Sequence, residues 1–284
     1  MKTGLVMEGG AMRGLFTAGV IDVFLENNIC FDGAIGVSAG ATFGCNIKSK
    51  QAGRALRYNC KYCKDPHYGS IRSWIKTGNL YDVDFCYKEL PEKLDVFDTG
   101  TFADNPMEFY VVTTDVESGE PVYHKCSDGL AGDLEWIKAS ASLPIVSRIV
   151  EIEGRGLLDG GMADSVPLGF FQSIGFEKNV VILTQPDDYI KSKNRLVPLC
   201  RLIYRKYPKL VDKLADRHIR YNDNIENIRR QEAEGKVFVI RPQKPLGVKK
   251  VEKDPDKLRR VYEIGREEAI KALKERGLSE WLAD

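Results

Sequence analysis

The chain has 284 residues, 43% hydrophobic and 29% charged, with a formal net charge of +1. This is ordinary globular composition, which excludes a disordered chain, and the near-zero balance gives no electrostatic case for a nucleic-acid partner. The longest uncharged stretch (residues 33–47) is 15 residues, too short to span a bilayer, and the apolar run Gly4 to Met7 is too short for a signal-peptide core, so the seven cysteines are expected as free thiols in a cytoplasmic protein, at most peripheral at a membrane.

In chain order, Thr3 to Met7 reads as a short buried strand running into a glycine-rich loop, Glu8-Gly9-Gly10-Ala11-Met12-Arg13-Gly14. Leu15 to Asn27 follows as a helix with Phe16, Val20, Val23 and Phe24 on one face. Ala34 to Val37 is a second strand and Ala39 to Lys48 a second helix. Residues 50–107 read as short helices and loops. Phe109 to Thr114 is a strand by its β-branched and aromatic content, with Val122 to His124 as its hairpin partner. Asp133 to Ser142 is expected to be helical, stopped by Leu143-Pro144. Gly156 to Leu158 is a short strand leading into Asp159-Gly160-Gly161, and Asn179 to Thr184 and Val237 to Ile240 are buried strands. Pro255 to Arg276 closes the chain as a charged amphipathic helix. The alternation of strand and helix is the rhythm of a mostly parallel sheet with helices on its faces, in one domain over residues 1–284.

Three segments carry chemistry. Gly36-Val37-Ser38-Ala39-Gly40 has the G-x-S-x-G form at a strand-to-helix junction, where a sharp turn can hold a nucleophilic hydroxyl exposed. A serine hydroxyl needs a base to take its proton, commonly histidine. The chain has three histidines, His67, His124 and His218, and none stands where a hydrolase of that order would carry its base. Asp159, at the end of an apolar strand and followed by two glycines, supplies another base. The loop from Gly9 to Gly14 can offer backbone N–H groups to a developing oxyanion at a helix start. It fits neither a P-loop nor a dinucleotide loop.

These motifs in this order resemble the patatin-like phospholipase family. Thr114 to Glu120, Ala139 to Pro144 and Asp164 to Pro167 are similar to stretches between and after the motifs in bacterial members. The resemblance covers residues 3–168 strongly and the C-terminal third more loosely, so the motif-bearing core is expected over about 3–170 and an α/β completion over about 171–284. It implies a three-layer α/β/α sandwich and a Ser–Asp dyad of Ser38 as nucleophile and Asp159 as general base. It also implies an oxyanion hole from the backbone of Gly9, Gly10 and Ala11, to which the N–H of Ala39 is added on physical grounds. The implied activity is serine acyl hydrolysis of a phospholipid or other lipid ester, without cofactor or metal. Ala11 stands where the family usually has a third glycine. Its methyl group is compatible with donating the N–H if φ is negative. Arg13 is either a contact to an anionic headgroup or a solvated residue of the helix start.

Two further segments are open. Cys60-Lys61-Tyr62-Cys63 has metal-like spacing, but no second ligand pair follows. Residues 191–209 interleave seven basic residues with Leu196, Leu199, Leu202, Ile203 and Tyr207 and contain no acid. They fit a core-packed helix with a solvated basic face, or a helix lying on an anionic membrane. Rival readings of the whole chain are a transacylase or thioesterase on the same dyad, a catalytically silent lipid-binding protein, and a redox or metal module built on the cysteine pair.

Overall fold

The computed structural model describes residues 1–283. The strands are β1 Lys2–Met7, β2 Gly33–Val37, β3 Glu108–Asp115, β4 Pro121–Cys126, β5 Val150–Ile152, β6 Arg155–Asp159, β7 Phe176–Ile182 and β8 Val237–Ile240. The first half carries helices α1 Gly14–Glu26, α2 Ala39–Lys48, α3 Arg54–Tyr62, α4 Ile71–Thr77, α5 Thr99–Asp104 and α6 Ala131–Ser140. The second half carries α7 Leu168–Ser173, α8 Val197–Ile203, α9 Pro208–Ala215, α10 Arg217–Ala233, α11 Pro255–Lys274 and α12 Leu278–Ala283. No helix among the described residues is long and apolar enough to cross a membrane.

The eight strands form one sheet in the order β5-β6-β3-β2-β1-β7-β8, with β4 also paired to β3. β3, β2, β1, β7 and β8 are parallel, while β4, β5 and β6 pair antiparallel. The sheet therefore sits in the middle of an α/β/α sandwich, and the period of two shows in the core. Leu5, Met7, Ala34, Val180 and Ile182 face a layer built on α1, α2 and α11. Val6, Ile35, Val37, Val181 and Val239 face the opposite layer, built on α7 and α10. Each central strand is thus buried on both sides, which is why these strands read as continuous apolar runs.

The C-terminal helix is bound tightly to the first. A Cβ on Gly19 would lie 2.1 Å from the Tyr262 carbonyl oxygen, and one on Gly265 would lie 2.0 Å from that of Phe16. Two glycines at one crossing let α1 and α11 approach backbone to backbone. Asp22 of α1 accepts a 2.6 Å hydrogen bond from the Tyr262 hydroxyl at the same seam.

Several elements were not visible in the sequence. α10 is a 17-residue helix whose buried residues are only Tyr221, Ile225 and Ile228, too sparse a stripe to stand out among its polar residues. β5 is three residues at the sheet edge. Residues 50–107 contain a π-helical segment, Phe85–Leu94, with Pro91 inside it. No helical or strand period describes such a turn.

Candidate active site

The elbow is a consequence of packing around Ser38. Ser38 has φ 54 and ψ −118, between the end of β2 and the start of α2. A side chain on Gly36 would meet the Gly40 carbonyl oxygen at 2.3 Å, and one on Gly40 would meet that of Met7 at 2.4 Å. Both flanking positions are therefore closed to any side chain. The strained residue is held by a buried partner: its N–H donates to the Ser140 hydroxyl at 2.8 Å. Backbone strain of this kind costs about 1–3 kcal/mol and persists where surrounding contacts over-determine it.

Strand register brings Asp159 to the same point. β4 occupies one edge of β3 throughout. The other edge is taken first by β2, as far as Val37 opposite Val112, and then by β6, with Asp159 opposite Thr113. β2 and β6 therefore meet head to head beside β3, and their last residues adjoin. The glycine after Asp159 is required by this abutment, since a Cβ on Gly160 would lie 2.1 Å from the Val112 carbonyl oxygen. The segment from Ser140 to Ser142 straps both sides, because Asp159 donates its N–H to the Ser142 carbonyl at 2.8 Å. The sequence singled out this segment only as a resemblance. Its role as the shared strap is tertiary.

The Asp159 carboxylate is 2% exposed. Its Oδ1 accepts the Gly161 N–H at 2.8 Å. Its Oδ2 is buried with no hydrogen-bond partner. Burial drives this carboxyl above the ordinary aspartate value; the adjacent Ser38 hydroxyl, the Arg217 charge, the Gly161 N–H and the Lys250 charge pull the other way. Ser38 thus stands beside an acid that is more basic than usual and has one oxygen free.

The glycine-rich loop is anchored from behind by Glu8, which is 1% exposed. Its carboxylate accepts the Thr184 N–H at 2.6 Å, the Thr184 hydroxyl at 3.0 Å and the Tyr221 hydroxyl at 2.8 Å. Gly9 and Gly10 follow with N–H groups that donate to no described residue. Gly9 packs close to the elbow, its missing Cβ 3.1 Å from that of Ser38. The N–H of Ala39, first residue of α2, has no preceding turn to bond. Ala11 departs from expectation: its φ is +50, in the left-handed region, not negative. A glycine would take this conformation without cost, and the alanine holds it under strain. Arg13 donates to the Thr184 hydroxyl at 3.4 Å, beside the Glu8 anchor.

A pocket of about 140 Å³ opens at Ser38 and Ala39 and runs between α2, α3 and the π-helical segment. Tyr58, Tyr81, Tyr87, Leu90 and Phe97 are among its walls, so residues 54–97, opaque in sequence, build its apolar side. Burial holds the phenols of Tyr58, Tyr81 and Tyr87 well above their ordinary range and therefore neutral.

None of the three histidines lines this pocket. His124 stacks on Trp136 at 4.3 Å and meets Asp133 at 3.1 Å. With Cys126 these two form a close His–Cys–Asp group, but the other Asp133 oxygen already accepts the N–H groups of Ser127, Asp128 and Gly129. His218 bonds the Ala215 carbonyl, and His67 lies against Phe85. The thiols of Cys60 and Cys63 donate to the carbonyls of Pro255 and Lys253, at the approach to α11.

A family model described as patatin-like phospholipase matches residues 5–171. A second, described only as a domain of unknown function (DUF6363), matches residues 207–282. The chain is 28% identical over 276 residues to the uncharacterized protein YjjU of Escherichia coli K12, covering 93% of this chain and 75% of that protein. It is 30% identical over 192 residues to lysophospholipase nte1 of Aspergillus terreus, covering 61% of this chain but only 11% of the much longer fungal protein. Among solved structures, VipD from Legionella pneumophila aligns with a TM-score of 0.45 at 12% identity, over 96% of this chain and 66% of that one.

Proposed function

We propose that this chain, which belongs to the patatin-like phospholipase family, is a serine lipid acyl hydrolase working through a Ser38–Asp159 dyad. The observation that carries this reading is the head-to-head meeting of β2 and β6, with the buried, unpartnered Asp159 Oδ2 next to the Ser38 elbow. Ser38 Oγ attacks the ester carbonyl carbon as Asp159 accepts its proton. The tetrahedral oxyanion is held by N–H groups of Gly9, Gly10 and Ala39, while Ala11, whose φ is positive, lines the pocket beside them. The C–O bond to the alcohol then breaks, and the alcohol takes the proton from Asp159. A water attacks the acyl-enzyme, gives its proton to Asp159, and the fatty acid leaves as Ser38 recovers the proton.

The substrate is a lipid ester whose acyl chain occupies the pocket walled by residues 54–97. A membrane-facing surface suits it. α8 is not core-packed along its length: Leu202 is 72% exposed, with Leu196, Leu199 and Ile203 also open, Arg201 among them and Arg195 and Arg205 at either end. α4 presents Ile71 and Ile75 in the same way. Both helices are tied to the loop after α6, where Ile145 accepts from the Trp74 indole at 3.0 Å and donates to the Tyr204 hydroxyl at 2.9 Å. Leu143 and Ser147 of that loop line the pocket. Two basic, apolar ridges beside one pocket favour contact with an anionic bilayer. The C-terminal third adds β7 and β8 to the sheet and α11 to the α1 layer, which supports reading the chain as one unit.

A fluorophosphonate probe tests the nucleophile. Wild-type protein should be labelled and Ser38→Ala should not. Labelling that survives the substitution, or none in either, would overturn the assignment.

A further inference from the structure

Four cations gather on the side of Ser38 away from the apolar pocket. Arg13 lies against Thr184, and Arg217 lies at 3.3 Å and 3.4 Å from the Ser165 hydroxyl, with Nη2 3.0 Å from where a Cβ on Gly161 would be. Lys191 places its ammonium 4.0 Å over the Tyr221 ring, whose hydroxyl bonds Glu8. Its backbone is clamped by the Asn222 side chain at 2.9 Å and 3.1 Å, which fixes where the side chain departs. Burial, then the charges of Arg217 and Arg13, push the Lys250 ammonium below its ordinary value, and Asp159 pulls the other way.

Among the described residues none of the four forms an ion pair. Two carboxylates stand near them. Glu8 is occupied by Thr184 and Tyr221, and Asp159 is the proposed base. Burial, with the charges of Arg217, Arg13 and Lys250, pushes the Lys191 ammonium down to about 7. Four cations beside two carboxylates leave an excess of positive charge, which is unfavourable in the free protein and complementary to an anion. Lys191, Arg217 and Lys250 all lie outside residues 5–171, and Arg217 and Lys250 fall in the match of unknown function.

We propose that Lys191, Arg217 and Lys250, with Arg13, form a subsite for a phosphate group carried on the alcohol side of the ester. The substrate class is then an acylated glycerol phosphate: acyl chain in the aromatic pocket, scissile ester at Ser38, phosphate among the cations. This rests on the hydrolase reading above, and the test separates the two.

Lys191→Met is the primary variant, since it keeps a side chain over Tyr221, and Lys250→Gln is the second. The first readout is the ratio of kcat/KM for a monoacyl glycerol phosphate over the monoacylglycerol of the same chain. Wild type should favour the phosphate, and either variant should lower the ratio about tenfold or more, the scale of a charge-assisted contact. Equal rates on both esters in the wild type, or a ratio unmoved by both variants, would overturn the subsite while leaving the hydrolase intact. The second readout needs no turnover: the Tm of Ser38→Ala protein with glycerol phosphate or with inorganic phosphate. Glycerol phosphate should raise Tm more than inorganic phosphate, and Lys191→Met should diminish the shift with both. No shift, or equal shifts with both, would overturn a headgroup subsite. If no ester at all is turned over, the hydrolase reading fails, and the Tm readout still decides the anion site.

Discussion

On one side of Ser38 the wall is mostly aromatic and apolar, made by α3, the π-helical segment and the buried, neutral phenols of Tyr58, Tyr81 and Tyr87. Its two cations, Arg54 and Lys138, are paired with Asp95 and Glu135. On the other stand Arg13, Lys191, Arg217 and Lys250 around Asp159, and none of these lines the apolar pocket. The apolar side is held by ring packing and needs no partner. On the basic side Arg13 and Arg217 donate to the Thr184 and Ser165 hydroxyls, and Glu8 and Asp159 offset only part of the charge. The contrast teaches that Ser38 sits at a boundary, where an amphiphilic ester can lie with each end in its own medium.

The most damaging way to break this arrangement is at the boundary itself. Asp159→Asn should lower kcat by about 10²–10⁴-fold, the range for a lost general base, in a steady-state ester assay. Because burial raises the Asp159 carboxyl, wild-type activity should climb with pH through a value above the ordinary aspartate range. The sign for stability is the reverse. A carboxyl that binds its proton more tightly when folded stabilises the fold at low pH and loses that contribution as pH rises through its folded value. The asparagine variant should therefore have a Tm equal to or above wild type at pH 8, with the advantage shrinking on acidification. A clearly lower Tm at pH 8 would mean that the ionised carboxylate is structural.

A smaller effect should come from the aromatic side alone. Val83 lines the pocket and is half-buried. Val83→Trp should shorten the acceptable acyl chain, lowering kcat/KM for long nitrophenyl esters about tenfold while sparing short ones, the scale of a few methylene contacts. A uniform fall across the series would show that the pocket does not hold the chain. The smallest effect is expected at the outer ridges. The pair Ile75→Glu and Leu202→Glu should weaken sedimentation with anionic vesicles several-fold and leave hydrolysis of a soluble short-chain ester unchanged. Unaltered sedimentation would confine these ridges to the solvated surface.

Much of the centre was legible because its spelling is local. Gly36 is closed by the Gly40 carbonyl four residues on, whereas Gly40 is closed by Met7 of β1 and Gly160 by Val112 of β3, so the G-x-S-x-G and Asp-Gly-Gly spellings are local but part of what demands them is tertiary. Ala11 was legible as a departure but not in its conformation: its positive φ depends on how the loop is drawn between β1 and the elbow. The Ser140 strap and the Glu8 anchor were not legible in role. A serine at a helix end and a glutamate before two glycines resemble many solvated residues, and only their burial assigns them. Residues 191–209 could be read as core-packed or as membrane-lying. In the fold, Val197 and Cys200 pack inward while Leu199, Leu202 and Ile203 stay open, so the helix does some of each.

By itself, then, the order of the residues pointed to a mostly parallel sheet with helices on its faces and to the turn at Ser38, because strand period and glycine spacing are short-range signals, while the sandwich and Asp159 as the partner of Ser38 were expectations drawn from the family resemblance. The tertiary structure decided how Asp159 reaches Ser38, through β6 taking over the edge of β3 that β2 leaves. It also decided that residues 54–97 wall one side while cations from the C-terminal third face the other. Those placements depend on which distant segments share a sheet edge or a cavity, and no local pattern in a chain encodes that.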